Sequence, residues 1–204
     1  MHFAFVAAVA VVGYLLGTFP SAIIVARANG IDITSQGSGN PGASNVARTL
    51  GWKKGVAVYI LDAVKGVAAV IIGRLVAGDA GGYWCAATAI VGHVFPVTRG
   101  LRGGKGVATG SGAMLVLQPV VSAVLLVVWV AVSKTTKKAS IASITVTIGL
   151  PVGMAIAGSP AWEILAMAGL AFLVVARHLP NLRRLRSGTE HSLNSKHSFK
   201  DKAA

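Results

Sequence analysis

FAFVAAVAVVGYLLGTFPSAIIVA, residues 3–26, contains no charged side chain. A helix that crosses a bilayer needs about 20 apolar residues, whereas strands rarely exceed about ten. The stretch therefore reads as a membrane span, and that reading governs the polar loop after it. Residues 37–48, GSGNPGASNVAR, contain Gly37-x-Gly39-x-x-Gly42, the spacing of a dinucleotide fingerprint. The fingerprint has meaning only between a strand and a helix of a βαβ unit. With a span in the strand's place, a Rossmann domain is rejected and only the phosphate physics remains.

Gly37, Gly39 and Gly42 let the backbone turn and keep side chains away from the amide N–H groups. Asn40-Pro41 reads as an N-cap and first helical position, residues 43–50 as a short helix, and Gly51 as its stop. Amide donors at a helix start, with Arg48 on the same element and Ser38, Ser44 and Asn45 beside them, outline a phosphate site. The plainer alternative is a loop whose glycines merely permit a turn.

Outward from this loop, the composition is that of a membrane protein. Of 204 residues, 54% are hydrophobic and only 12% charged, too few charges to cover a soluble domain. The net charge of +13 does not indicate nucleic acid, because the basic residues lie between apolar runs and fit membrane orientation and anionic head groups. The lone Cys85 excludes an intramolecular disulfide. No cleavage-like boundary comes after residues 3–26, so the first span is expected to stay, kinked at Pro20.

Further spans are expected at 55–77, 83–97, 140–157 and 161–176, with a short turn at 78–82. Residues 107–133 are expected to form a hairpin of two short helices, turning at Gln118-Pro119. As a single helix they would put Lys134, Lys137 and Lys138 on the wrong side. The expectation is an all-α polytopic fold of seven crossings, some short, with the N-terminus outside and the C-terminus cytoplasmic. Residues 1–190 form one domain and 191–204 a basic disordered tail. Arg74 fits this topology least well and is expected to snorkel. Asp62 and Lys65, three apart, share a helix face and read as a structural ion pair.

Two more polar segments fall on the same side. In GHVFPVTRGLRGGKGVAT, residues 92–109, Lys105 lies among Gly103, Gly104 and Gly106, but the P-loop pattern is incomplete. Lys105 at a helix start remains well placed to neutralise a phosphate, while His93 reads as a structural hydrogen-bonder. In RHLPNLRRLRSGTE, residues 177–190, His178 suits general-base work and Asn181 shares its face. Ser140 and Ser143 open the preceding span, either as caps or as phosphate contacts.

These three motifs, in one order and separated by apolar spans, closely resemble the bacterial integral-membrane glycerol-3-phosphate acyltransferase family of the PlsY type. Departures are Ser44, where the family often has threonine, and Lys137-Lys138, where it often has an arginine and an aromatic residue. The resemblance implies transfer of a fatty acyl group from acyl phosphate to the 1-hydroxyl of sn-glycerol 3-phosphate at the cytoplasmic side of a bacterial plasma membrane. Its products are lysophosphatidic acid and inorganic phosphate. It assigns Ser38 and the surrounding amides to phosphate binding and to holding His178, Arg48 and Lys105 to the substrate phosphates, and His178 to the glycerol hydroxyl. Asn181 takes the glycerol phosphate or the developing oxyanion, and Ser143 a contact at the site. It calls for no cofactor and no metal, since acyl phosphate is already activated, and makes the peripheral enzyme that supplies acyl phosphate a partner. The H-x-x-x-x-D pair of acyl-CoA-dependent and carrier-protein-dependent acyltransferases is absent after His93 and His178. The competing classes are an organic-phosphate transporter and a membrane scaffold.

Overall fold

The structure, a computed structural model, describes residues 2–193, and residues 194–204 of the expected tail lie outside them. Helices α1 (His2–Gly17) and α2 (Ser21–Arg27) meet at Pro20, which lacks the N–H needed to continue a helix. Helix α3 (Ala43–Leu50) ends as expected at Gly51, whose φ of +92° suits glycine. Its start differs from expectation. Gly42 is the N-cap, and Asn40 and Pro41 lie outside the helix. The Asn40 carbonyl instead accepts the Gly42 N–H at 2.9 Å, closing a tight turn about Pro41 ahead of the helix.

Helix α4 (Trp52–Val94) is a hairpin, broken at Ala77 and at Gly78, where φ is +65°. In a continuous helix Lys65 and His93 would be about 42 Å apart, yet Lys65 Nζ lies 2.9 Å from His93 Nδ1. The expected turn at 78–82 is shorter than the sequence suggests, since helix resumes at Asp79. Arg74 lies near this bend, donating to Asp79 at 2.9 Å and to the Val116 carbonyl at 3.1 Å.

Helices α5 (Val107–Leu117) and α6 (Pro119–Thr136) break at Gln118 as expected, and α6 pairs with α7 (Ala139–Ile156). Helix α8 (Ala161–Arg177) bends by 51° into α9 (Leu179–Arg186). Among the described residues all regular structure is helical, and four stretches are long and apolar enough to cross a membrane, or five if α8 and α9 count as one broken span. Helix α5 is shorter than a span.

The helices align so that the bundle has two distinct ends. At one, Gln118 Nε2 donates to Tyr83 Oη at 2.8 Å and to Glu163 Oε2 at 3.2 Å, joining the α4 bend, the α5–α6 turn and the start of α8. At the other end, Lys105 before α5 reaches Asn181, and Lys138 after α6 reaches the Glu190 carbonyl. The α5–α6 pair therefore does turn back. Close approach depends on small residues: a Cβ on Gly17 would collide with the Ala89 carbonyl oxygen, and one on Gly112 with that of Ala63. Below these contacts, Met114, Met154 and Met167 meet Val70, Tyr83 and Leu117 in the largest buried cluster.

Candidate active site

A polar cavity of about 120 Å³ opens at the end of the bundle where all three motifs converge. Ser38, Asn40, Ser44, Asn45, Arg48, Lys105, Ser143, His178 and Asn181 all line it. Gly37, Gly39 and Gly104 do not; they shape the walls. Gly37 and Gly39 turn the loop at φ of +56° and +68°, and a Cβ on Gly104 would collide with the His93 ring.

Asn45 is the fastening of the first loop. Its side chain is 1% exposed; Oδ1 accepts the Ser38 N–H at 3.0 Å, and Nδ2 donates to the carbonyls of Gln36 at 2.9 Å and Ile33 at 3.3 Å. Its amide is thus engaged by the loop itself. Arg48 rises from α3 into the cavity with Nε buried and without a hydrogen-bond partner. Burial lowers its pKa, the nearby Glu190 carboxylate opposing the shift.

The third motif supplies the opposite wall. His178, at the α8–α9 bend, is 3% exposed, and its Nδ1 lies 2.8 Å from the Val174 carbonyl. A carbonyl only accepts, so Nδ1 carries the proton and Nε2 of the neutral ring keeps a lone pair. The holder of His178 is therefore Val174, a partner the sequence does not point to. Asn181 is a bridge: Oδ1 accepts from Lys105, and Nδ2 donates to Glu190 Oε1 at 2.6 Å. Burial pushes the Lys105 ammonium down to about 8, with Glu190 working against the shift.

Sequence reasoning misses Glu190. Its carboxylate, 7% exposed, also accepts from Arg184 Nε at 2.8 Å. Burial alone would raise its pKa, but the hydrogen bonds from Asn181 and Arg184 hold it below the usual range. An acid amid three arginines is the available signal. The segment after it is anchored, since the Leu193 N–H donates to the Lys137 carbonyl at 2.9 Å, so residues 191–193 do not behave as a free tail. Asp62 pairs with Lys65 at 2.8 Å and approaches His93 at 3.7 Å. The expected ion pair forms, and Asp62 and His93 also face the cavity. Ser143 Oγ accepts from the Trp129 indole at 3.3 Å, and the helix start lacks a side-chain cap from either serine. Among the described residues no group of three His, Cys, Asp or Glu is arranged to hold a metal.

The polar cavity joins an apolar groove of about 480 Å³, with Ala43, Ser44, Tyr59, Gly106, Val107 and Trp129 lining both. Fold and site together define a multi-pass helical membrane protein that places cations and a histidine beside an apolar groove. The family model described as glycerol-3-phosphate acyltransferase matches residues 7–188. Similar curated proteins include the glycerol-3-phosphate acyltransferase of Clostridioides difficile, 41% identical over 92% of this chain and 95% of that one. That of Rhizobium etli is 38% identical over 93% and 92%. The crystal structure of PlsY (YgiH), an integral membrane glycerol 3-phosphate acyltransferase, in its glycerol 3-phosphate form superposes with a TM-score of 0.88 at 34% identity, covering 92% of this chain and 94% of that one. The lysophosphatidic acid form gives 0.86 at 33% identity over 93% and 96%. The chain belongs to the glycerol-3-phosphate acyltransferase family, of the integral membrane PlsY type.

Proposed function

We propose that this acyltransferase takes its acyl group from acyl phosphate and delivers it to the 1-hydroxyl of sn-glycerol 3-phosphate, releasing lysophosphatidic acid and inorganic phosphate. The observation behind this reading is the direct continuity of a cationic cavity with an apolar groove. Both reactants are phosphorylated, and one also has an alkyl tail. Arg48, Lys105 and the loop around Ser38 attract the phosphates, while the tail lies in the groove. The PlsY structures in glycerol 3-phosphate and lysophosphatidic acid forms support the same pair of ligand chemistries.

In the proposed step, His178 Nε2 accepts the proton of the glycerol hydroxyl as its oxygen attacks the acyl carbon. The bond from that carbon to the phosphate oxygen breaks, phosphate leaves with its electron pair, and the proton passes from His178 to phosphate. Asn181 keeps Lys105 aimed at the developing negative charge, since its amide joins Lys105 to Glu190. Ser38 contributes through its loop, and Ser143 borders the acyl side. Transfer is direct, because the mixed anhydride is already activated.

The same reading places seven crossings in the membrane, with the N-terminus outside and the site at the cytoplasmic face of a bacterial plasma membrane. A peripheral enzyme that makes acyl phosphate would then deliver it from that side. Purified protein given acyl phosphate and labelled glycerol 3-phosphate, without CoA or ATP, is expected to yield lysophosphatidic acid. Uptake of label into vesicles without product would replace the reading with transport. An acyl-enzyme trapped with acyl phosphate alone would overturn direct transfer.

A further inference from the structure

The apolar groove has a floor, and its position is repeated on three helices. Val174 on α8 lies beside the polar mouth, and Met167, seven residues earlier, is the deepest α8 residue of the groove. Trp129 and Ser122 on α6, and Ser143 and Leu150 on α7, have the same seven-residue separation from mouth to depth. Seven residues of helix span about 10 Å. An all-trans alkyl chain, with bonds of about 1.5 Å at about 111°, advances about 1.25 Å per carbon, so about eight methylenes run from mouth to floor.

Beneath that depth the bundle is closed. Met167 is 1% exposed and Met114 4%, and both belong to the buried cluster that includes Tyr83 and Leu117. Beyond them the Gln118–Tyr83–Glu163 hydrogen bonds join the helix ends. A longer chain must therefore bend towards the side of the groove, where Leu115 and Leu126 are more than half exposed. Methionine is unbranched and adapts its shape, so this floor yields slightly under a chain end rather than setting an abrupt limit. Ser122 approaches the same level from α6, and its buried Oγ has no hydrogen-bond partner.

We infer that Met167, with Met114 and Ser122, sets the acyl-chain length this enzyme prefers, by fixing how far a straight chain enters before it must turn. The inference rests on the groove being the acyl site, as proposed above. Met167→Ala deepens the groove, and Ser122→Phe fills it from α6 while leaving the buried methionines unaltered.

The test is competition between acyl phosphates differing by two carbons, read as the ratio of lysophosphatidic acid products, with the KM for glycerol 3-phosphate measured alongside. Each methylene gained or lost in an apolar site changes the ratio about fourfold at most. Met167→Ala is expected to shift the ratio towards the longer chain, and Ser122→Phe towards the shorter, each by about threefold to tenfold, with KM for glycerol 3-phosphate unchanged. Should Met167→Ala fail to fold, the Ser122→Phe shift decides alone. Active variants whose product ratio equals that of the unaltered protein overturn the inference while leaving the acyl groove intact. An unaltered protein that transfers no acyl group from any acyl phosphate overturns the proposed donor, and this inference with it.

Discussion

Lys105 is a cation held at a cost. Its ammonium is drawn out of water beside Arg48 and Arg177, and its pKa falls to about 8. It is charged below that pH and neutral above it. The KM for glycerol 3-phosphate is accordingly expected to rise as pH passes about 8, and Lys105→Arg, whose guanidinium stays charged, should flatten the rise. A KM constant up to about pH 9.5 in the unaltered protein would show that Lys105 does not hold the phosphate. Glu190 is the counterweight. Glu190→Gln removes the Arg184 ion pair and the carboxylate that offsets the burial of Lys105 and Arg48, so a loss of about 2 kcal/mol in stability is expected, read as a lower midpoint of thermal unfolding. Lys105, His178 and Asn181 are legible in the sequence because polar side chains stand out where apolar runs end. Glu190 is harder to read, since its place after three arginines hints at a charge partner but not at the fold-back that brings it to Asn181. Asn45 is legible as part of the loop but not as its fastening, because three hydrogen bonds to backbone up to twelve residues away leave no local pattern.

At the scale of the helix, contacts depend on where side chains are missing. Gly112 presses on the Ala63 carbonyl, whereas a Cβ on Gly110, half a turn away, would find nothing nearer than Ile90 at 3.5 Å. Gly112→Leu is expected to separate α5 from α4 and lower the melting temperature by more than about 5 °C, while Gly110→Ala should change it by less than about 2 °C. Equal effects would mean that the α4–α5 contact does not limit stability. Helix breaks at Pro20 and Gln118-Pro119 stem from proline chemistry and are readable. The true start of α3 is not readable, because Asn-Pro fits both a capped helix and the tight turn that it makes here. The reversal at Ala77 and Gly78 adjoins the expected turn but is shorter, since Asp79 to Gly82 are helical despite two glycines.

For the whole molecule, what matters is that Arg48, Lys105, His178 and Asn181 gather at one end of the bundle. Charge bias in the sequence predicts that this end is cytoplasmic, and accessibility is the measurement that tests it. Cys85 is buried, so cysteines introduced on a Cys85→Ala background report their own exposure. Lys54→Cys, Arg102→Cys and Arg186→Cys are expected to react from the cytoplasmic side and Ser159→Cys from the outside. Lys54 and Arg186 labelled from opposite compartments would break the topology. The α4 hairpin also bears on assembly. Its two arms are joined by a single bend and meet through Lys65 and His93, so this pairing needs only neighbouring sequence and closes a short loop. Both arms leave the ribosome before α5 exists, and α1 is already in place. The nascent protein can therefore insert α1 and the hairpin as a finished half, against which the later helices are laid down.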